Sequence, residues 1–332
     1  MGKDERMRRM NMQIQLPEWA IGPFFKHEAN PLLGPSEQGF DSWTTYNPAV
    51  SVKDGTFYMF YRAEDRAEKD TRWMGTSRIG LAVSQDGIHW KKHRDQPIID
   101  ATEEYELPGG CEDPRIVWAE GVWHLLYTGY YWPKGFCICD AVSTDLLNWE
   151  KRGPLFPKKT AEGMKSKSAC PVCDPEGRAV RINGRYVLYT NHQLATSTDF
   201  IHWDVEPFEA AAFSGKPNEV CVAVTDYQNP GKDGILMLVA GNLSSIVQDG
   251  KYFYAISEAL YDRNDPKRLL KHLEVPVIQA EHDYEKSVDR FPHHPTASLG
   301  TIFVDNIFRY QGKWWIYYGA SDQFVALVQT QG

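Results

Sequence analysis

A glycine turn followed by a strand of alternating aromatic and aliphatic residues recurs along this chain. Five copies occur, at residues 55–61, 121–127, 184–189, 234–239 and 312–318. Alternation with a period of two, behind a glycine that can take a positive φ, is typical of β-hairpins rather than helices. The starting glycines lie about 64 residues apart on average, so five such units fill almost the whole 332-residue chain.

A second repeat, Ser-x-Asp-x-x-x-Trp, supports the same division of the chain. It occurs at residues 84–90, 143–149 and 197–203, each time after a short apolar segment. The Asp side chain can close a tight turn by accepting backbone N–H bonds, and the Trp can cover the sheet beneath it. Each copy therefore predicts a strand, a turn and a second strand.

Both repeats together predict the fold class. Sixty residues of short strands make about one four-stranded blade, and radial repetition of such blades makes a propeller. We therefore predict an all-β protein: a five-bladed β-propeller of four-stranded antiparallel blades over residues 21–332, behind an N-terminal extension of residues 1–20. A pair of β-sandwich domains is the alternative, and it is disfavoured because no Pro/Gly/Ser-rich linker divides the chain.

Composition narrows the function. The formal net charge of −8 disfavours nucleic-acid and acidic-membrane partners. The aromatic content of 13%, with 11 Trp and 17 Tyr, favours a ligand site lined by flat rings. No segment has the apolar length of a membrane span, and no signal peptide is recognisable, so a cytoplasmic location is predicted.

The six cysteines suggest no disulfide framework in a chain of this length. Cys137 and Cys139 form a CxC pair, and Cys170 and Cys173 form a CxxC pair. Thiolates at such spacings can share one zinc ion, so a four-thiolate site is left open as an alternative. Small core residues are the other interpretation, and the main prediction includes no metal.

The strongest candidate for chemistry is the segment Glu112-Asp113-Pro114-Arg115, which follows two glycines. Those glycines allow a close backbone approach or a positive φ, and Pro114 keeps Asp113 out of the helical region. A carboxylate that is held rigidly at the end of a strand is suited to proton delivery. An acidic turn without catalytic function is the alternative at this point.

Several segments taken in order resemble glycoside hydrolase family 130, the β-mannoside phosphorylases and hydrolases, which are five-bladed propellers. The segments are Tyr-Arg-Ala at 61–63, Arg-Ile-Gly-Leu-Ala-Val-Ser at 78–84, Gly-Cys-Glu-Asp-Pro-Arg-Ile at 110–116, Asp-Pro at 265–266, Pro-Val-Ile at 276–278 and Tyr-Tyr-Gly-Ala-Ser-Asp at 317–322. The resemblance covers the chain from about residue 30 to 327.

The resemblance implies that Asp113 is the catalytic acid and protonates the glycosidic oxygen through the 3-hydroxyl of the bound mannosyl unit. Phosphate or water then attacks the anomeric carbon from the opposite face, with inversion, and no cofactor is needed. Arg62 and Asp322 correspond to sugar-binding residues. Further polar and aromatic residues, most of them at or after the ends of the aromatic strands, complete the predicted substrate-binding set: Asn47, Asp65, Arg66, Arg115, Tyr130 and His192.

The chain departs from the phosphorylase pattern where phosphate would bind. The family's phosphorylases have an Arg after the third aromatic strand and a His after the fourth, whereas residues 190–192 read Thr-Asn-His and 240–243 read Ala-Gly-Asn-Leu. New acids appear instead at Glu219, Glu258 and Asp305. Since water needs a carboxylate to take its proton, we predict Glu219 as general base, with Glu258 as the second candidate.

The predicted function is thus hydrolysis of β-linked mannosides with inversion, with a small carbohydrate as the binding partner. A β-mannoside phosphorylase that uses inorganic phosphate and releases mannose 1-phosphate is the first alternative, with phosphate held by Lys165, Lys167 and His192, and Arg178 as a further candidate. A non-catalytic carbohydrate-binding propeller is the second alternative. Homo-oligomer formation is left open by the sequence.

Overall fold

The computed structural model describes residues 15–65, 75–131, 135–156, 167–210, 219–242, 252–286 and 298–331. Within these ranges the secondary structure is strands, numbered β1 to β22, and two short 3-10 helices, Glu104–Glu106 and Asp283–Glu285. The all-β prediction is therefore confirmed. Among the described residues, no helix is long and apolar enough to cross a membrane.

Two four-stranded antiparallel sheets are formed by consecutive strands. The first sheet has the order β2-β3-β4-β5 and the second β6-β7-β8-β9. Their bounds are Thr44–Lys53, Thr56–Glu64, Arg78–Ser84 and Lys91–Lys92, followed by Gly110–Ala119, Val122–Tyr131, Gly135–Ser143 and Glu150–Pro154. Each sheet begins with a ten-residue strand that is almost wholly buried, as expected for strands at the centre of a molecule.

The remaining strands form one 14-stranded sheet, in which β11, β18 and β20 branch from a path of 11 strands. Within it, antiparallel runs are joined by two parallel contacts, β10 with β15 and β17 with β19, and β1 pairs with β22. The bounds of β1 and β10–β16 are Phe24–Lys26, Cys170–Cys173, Arg181–Ile182, Arg185–Tyr189, Gln193–Ser197, Asp204–Pro207, Glu219–Val224 and Ile235–Asn242. Those of β17–β22 are Tyr252–Tyr261, Leu269–His272, Ser298–Val304, Phe308–Tyr310, Lys313–Ala320 and Phe324–Thr330.

The predicted aromatic strands correspond to β3, β7, β12, β16 and β21. Four of the five starting glycines have a positive φ, between 76° and 81°. This backbone conformation is strained for a residue with a Cβ, which is why glycine stands at these turns. The period-two pattern therefore located all five strands.

The Ser-x-Asp-x-x-x-Trp repeats form the predicted turns. In the first copy, Asp86 Oδ1 accepts hydrogen bonds from the backbone N–H groups of Ile88 and His89, both at 2.8 Å. Trp90 Nε1 donates to Gly87 O at 3.0 Å, and its ring packs edge-on against Tyr317 of the last sheet. The turn residues thus close a hairpin and cover the core between two sheets.

Hydrophobic cores lie between neighbouring sheets. One core joins β3 to β7 through Phe60 and Tyr127, and another joins β7 to β12 through Leu126 and Leu188. A third packs Met59 of the first sheet against residues of the last two strands. The cysteine pairs Cys137/Cys139 and Cys170/Cys173 lie on β8 and β10, in different sheets. Among the described residues, no cluster of three or more His, Cys, Asp or Glu side chains is arranged to hold a metal ion.

Candidate active site

Asp113 lies in an irregular corner of β6, and the local sequence explains its shape. Gly110, at φ 102°, approaches Ser77 so closely that an added Cβ would lie 2.1 Å from the Ser77 carbonyl oxygen. Three residues later the ladder with β7 is interrupted by a bulge between Glu112 and Arg115. Asp113 takes a φ of 49° there, a strained conformation for a non-glycine residue.

The Asp113 carboxylate is buried and has three polar partners. Oδ1 accepts from Asn47 Nδ2 at 2.7 Å and from Arg62 Nη1 at 3.0 Å. Oδ2 lies 3.2 Å from Lys167 Nζ. The structure therefore brings together four of the residues that the sequence placed in the site, and Asn47 and Arg62 contact the acid directly.

Arg62 is the centre of a buried charge network. Its Nη2 donates to Glu64 Oε1 at 3.0 Å and to Glu112 Oε1 at 2.9 Å, and its Nε donates to Ser77 Oγ at 3.0 Å. With the bond to Asp113, these contacts engage its three nitrogens. Glu64 and Ser77 were missed by the sequence analysis, although Glu64 stands two positions after Arg62 and so shares its face of β3.

The two adjacent acids have opposite pKa shifts. Burial disfavours the charge of Asp113, but attraction to Lys167 and Arg62, together with the Asn47 hydrogen bond, outweighs it and holds the Asp113 pKa well below its usual range. Burial raises the pKa of Glu112 against the opposing attraction of Arg62 and Lys167. Of the pair, Glu112 is therefore the group that takes up a proton first.

Lys167 connects this network to Glu219 at the start of β15. Its Nζ lies 3.7 Å from Glu219 Oε1 and 3.6 Å from Glu112 Oε2. The side chain as a whole is 26% exposed. Burial lowers the Lys167 pKa, but the surrounding carboxylates, Asp113 first, reverse the effect and raise it. The ammonium is therefore charged at neutral pH.

Glu219 has two further partners that hold its carboxylate. Ser168 Oγ donates to Oε1 at 2.8 Å, and the Tyr254 hydroxyl donates to Oε2 at 3.0 Å. Its side chain is 19% exposed. Ser168 and Tyr254 were not identified from the sequence, because neither stands in a recognisable motif.

Asp322 belongs to the same electrostatic cluster. It has a φ of 55° in the turn between β21 and β22. Burial raises its pKa to about 6, with Arg62 opposing the shift and Glu64 and Asp113 adding to it. A carboxyl group with this pKa exchanges its proton close to neutral pH.

Two predicted residues are placed elsewhere. Arg115 was expected to bind substrate, but it is 3% exposed and its guanidinium faces the carbonyl oxygens of Val220 and Cys221 and the carboxylate of Asp305. Glu258, the second candidate base, is fully buried in the middle of β17. Arg115 therefore contacts the backbone of Asp113 and of β15, which the sequence pattern could not indicate.

A general base would have to face the reaction site, but Glu258 contacts the backbone of Ile21. Its Oε2 accepts a hydrogen bond from the Ile21 backbone N–H at 3.0 Å, beneath the N-terminal segment. Burial raises its pKa to about 8, and the Ile21 bond offsets only part of that shift. No described contact joins Glu258 to the cluster around Asp113, so we do not assign it as a base.

The other predicted residues lie outside the immediate contacts of Asp113. Asp65 pairs with Arg78 at 3.3 Å, and the exposed His192 pairs with Glu209 at 3.2 Å. Tyr130 is buried beside Gly109, where an added Cβ would meet its ring. Arg66 and Lys165 lie outside the described residues, as do residues 1–14 of the predicted extension. The predicted Arg178 pairs with Asp174 and Glu176.

The cluster as a whole can donate a proton and hold a negative charge. Asp113, Glu112 and Glu64 are carboxylates around Arg62, and Lys167 stands between Asp113 and Glu219. A buried carboxyl group with a lysine and a second carboxylate beside it places a candidate acid, a cation and a candidate base in one site, which suits group transfer to an external nucleophile.

A family model described as beta-1,4-mannooligosaccharide phosphorylase, glycoside hydrolase family 130, matches residues 23–331. A 1,2-beta-oligomannan phosphorylase of Thermoanaerobacter sp. (strain X514) is 28% identical to this chain. The alignment covers 90% of this chain and 93% of the relative. A beta-1,2-mannobiose phosphorylase of the same strain is 26% identical at the same coverage.

Two solved structures are similar as well. One is described as showing that the family of mannoside phosphorylases contains glycoside hydrolases that target β-1,2 mannosidic linkages in Candida mannan. It is 30% identical to this chain, covers 95% of both chains and has a TM-score of 0.80. The beta-1,2-mannobiose phosphorylase of Listeria innocua, in complex with β-1,2-mannobiose, has a TM-score of 0.70 over 93% of this chain and 96% of its own. Its identity of 19% supports the fold alone.

Proposed function

Because the chain belongs to glycoside hydrolase family 130, whose enzymes act on β-mannosides, we propose that it cleaves β-1,2-linked manno-oligosaccharides by phosphorolysis. The products are mannose 1-phosphate and the shortened oligosaccharide. The leading prediction from sequence, hydrolysis, becomes the second candidate, because both curated relatives that span the chain are phosphorylases.

The observation that carries this proposal is the position of Lys167 beside Asp113. Its Nζ lies 3.2 Å from the Asp113 carboxylate and its side chain is partly exposed. Phosphate is a dianion and requires a cation at the reaction centre. An ammonium on a flexible four-carbon chain can leave the acid and pair with phosphate when a sugar occupies the site.

The proposed step uses Asp113 as the acid and phosphate as the nucleophile. Asp113 delivers a proton to the glycosidic oxygen, through the 3-hydroxyl of the mannosyl unit as the family resemblance implies. A phosphate oxygen of HPO₄²⁻ forms a bond to the anomeric carbon from the opposite face, and the bond to the leaving sugar breaks. The proton that phosphate loses replaces the one that Asp113 gave.

Substrate also changes the state of the acid in this scheme. In the ligand-free site, Lys167 is the largest of the interactions that hold down the Asp113 pKa. When Lys167 turns to phosphate, that attraction is lost and the carboxyl binds its proton more strongly. Protonation of the Asp113 carboxylate is thereby coupled to binding of phosphate.

Hydrolysis is the second candidate because of Glu219. Its carboxylate lies next to Lys167 and is held by Ser168 and Tyr254, as a base that activates water would be. The 30% identical structure is associated with hydrolases of this family. In this alternative Lys167 serves to orient Glu219, and free mannose is the product.

We also propose the predicted architecture, a single five-bladed propeller over residues 21–332. The strand order supports it, because β2–β5, β6–β9, β10–β14, β15–β18 and β19–β22 are successive antiparallel groups. Packing of the first sheet against the last supports ring closure, with Met59, Tyr61 and Tyr317 in one core. A cytoplasmic location and a small carbohydrate partner remain part of the proposal.

The deciding experiment incubates purified protein with β-1,2-mannobiose and mannotriose, with and without inorganic phosphate, and resolves the products by anion-exchange chromatography. Mannose 1-phosphate formed only with phosphate is the expected result. Equal release of free mannose in both conditions would overturn phosphorolysis in favour of water and Glu219. Asp113→Asn is the control for the shared acid and should lower the rate of either reaction by about 10²- to 10⁴-fold.

A further inference from the structure

Arg115 connects the backbones of separate strands beneath the site. Its Nη1 donates to the Asp113 carbonyl oxygen at 3.3 Å, its Nε to Cys221 O at 3.3 Å and its Nη2 to Val220 O at 3.4 Å. Nη2 also lies 2.9 Å from Asp305 Oδ1, just after β19. One buried guanidinium therefore joins β6, β15 and the end of β19.

Two of these carbonyl oxygens come from strand irregularities. In β6 the ladder skips from the pair Glu112–Thr128 to the pair Arg115–Leu126, so Asp113 has no ladder partner in β7. In β15 the register with β16 shifts between Val220 and Val222, at the position of Cys221. Buried carbonyl groups released from a ladder need other donors. Arg115 supplies them at both irregularities.

These two strands carry the proposed acid and the carboxylate next to Lys167, the proposed phosphate contact. Asp113 belongs to the irregular corner of β6, and Glu219 is the first residue of β15, directly before Val220. Because a guanidinium is a rigid planar fork, donors fixed to both strands set the distance between them. The contacts of Arg115 therefore control the separation of Asp113 and Glu219.

Asp305 compensates the charge of Arg115. Both side chains are almost completely buried, and burial of an unpaired guanidinium would be strongly unfavourable. Neither carboxyl oxygen of Asp305 receives a well-aligned hydrogen bond within the described residues. Arg115 and Asp305 both line a small cavity of about 30 Å³, which has room for one or two water molecules.

We propose that Arg115 and Asp305 are positioning residues that hold Asp113 and Glu219 at the working distance on either side of the substrate. The inference rests on the proposed function, which takes Asp113 as the acid. Neither side chain is assigned to the sugar, because the Arg115 guanidinium is occupied by three backbone carbonyl oxygens and by Asp305. The pair fixes the position of Asp113 relative to β15. Its loss should therefore lower kcat rather than weaken substrate binding.

The test compares Arg115→Ala, Arg115→Lys and Asp305→Asn with wild type, under the nucleophile that the product analysis identifies. We expect kcat to fall by about 10- to 100-fold with KM changed less than about threefold, the loss typical of a small misplacement of reacting groups. Added guanidinium should restore Arg115→Ala at least about tenfold. The control Arg263→Ala removes an ion pair with Asp226, just past the other end of β15. Its kcat should stay at the wild-type value, and added guanidinium should not change it.

Several results would overturn the proposal. A rise in KM at unchanged kcat would show that Arg115 contacts the substrate. A wild-type kcat in both Arg115→Lys and Asp305→Asn would show that the pair is not needed to position the acid. Loss of folded protein in all three variants would assign the pair to stability. Failure of the underlying function is recognised separately: Asp113→Asn would then remain active, or wild type would cleave no mannoside, whatever the Arg115 variants do.

Discussion

Glu258→Gln should change how the stability of this protein depends on pH. Glu258 is completely buried, and its Oε2 accepts a hydrogen bond from the Ile21 N–H. Within the described ranges of the chain, its Oε1 has no hydrogen-bond partner. Burial raises its pKa to about 8 in the folded state. In the unfolded chain a Glu titrates at about 4.3. Folded protein therefore holds a proton that unfolded protein has lost between these two pH values.

The sign and size of the effect follow from this difference. Between about pH 4.3 and 8 the folded state binds one more proton than the unfolded state, so the free energy of unfolding falls as pH rises. The slope approaches 1.4 kcal/mol per pH unit, and the whole shift amounts to about 5 kcal/mol by pH 8. Gln has nearly the same shape and no titration, so this contribution disappears in the variant.

Urea unfolding monitored by tryptophan fluorescence at pH 5, 6.5 and 8 measures the effect. We expect the stability of wild type relative to Glu258→Gln to fall by several kcal/mol from pH 5 to pH 8. The slopes of unfolding free energy against pH are compared, rather than the absolute values, because a buried Gln lowers the stability by an amount that does not depend on pH. Glu37→Gln removes an exposed carboxylate and should leave the pH dependence as in wild type. Parallel curves for wild type and Glu258→Gln would refute the reasoning.

Three further predictions concern the site. Asp113→Asn should lower kcat by about 10²- to 10⁴-fold, the range of a lost general acid, in steady-state assays on β-1,2-mannobiose; retained turnover would exclude Asp113 as the acid. Lys167→Met should raise the KM for phosphate at least about tenfold and move the alkaline limb of the pH–rate profile upwards, because the Asp113 pKa rises when the ammonium is lost; an unchanged limb would contradict that coupling. Glu219→Gln should change phosphorolysis by less than about tenfold, whereas a loss of 10²-fold or more would support hydrolysis.

Local pattern was sufficient for the strands and for the irregular corner that carries Asp113. The period-two strands behind glycine turns were found because alternation and positive φ are properties of neighbouring residues. The same holds for the corner around Asp113, where Gly110 and Pro114 fix the backbone within a few positions. Arg62 and Asn47 were included in the site from the sequence, and both contact Asp113.

The tertiary structure determined the orientation of individual side chains and the groups that they contact. Arg115 contacts the carbonyl oxygens of another strand and Asp305, 190 positions away in the chain. Glu258 was the second candidate base from the sequence, yet the fold buries it against the Ile21 backbone. Ser168 and Tyr254 reach Glu219 from separate strands and loops. Periodicity in a sequence reports only near neighbours, whereas charge pairing and burial depend on strands that meet only after the whole chain has folded.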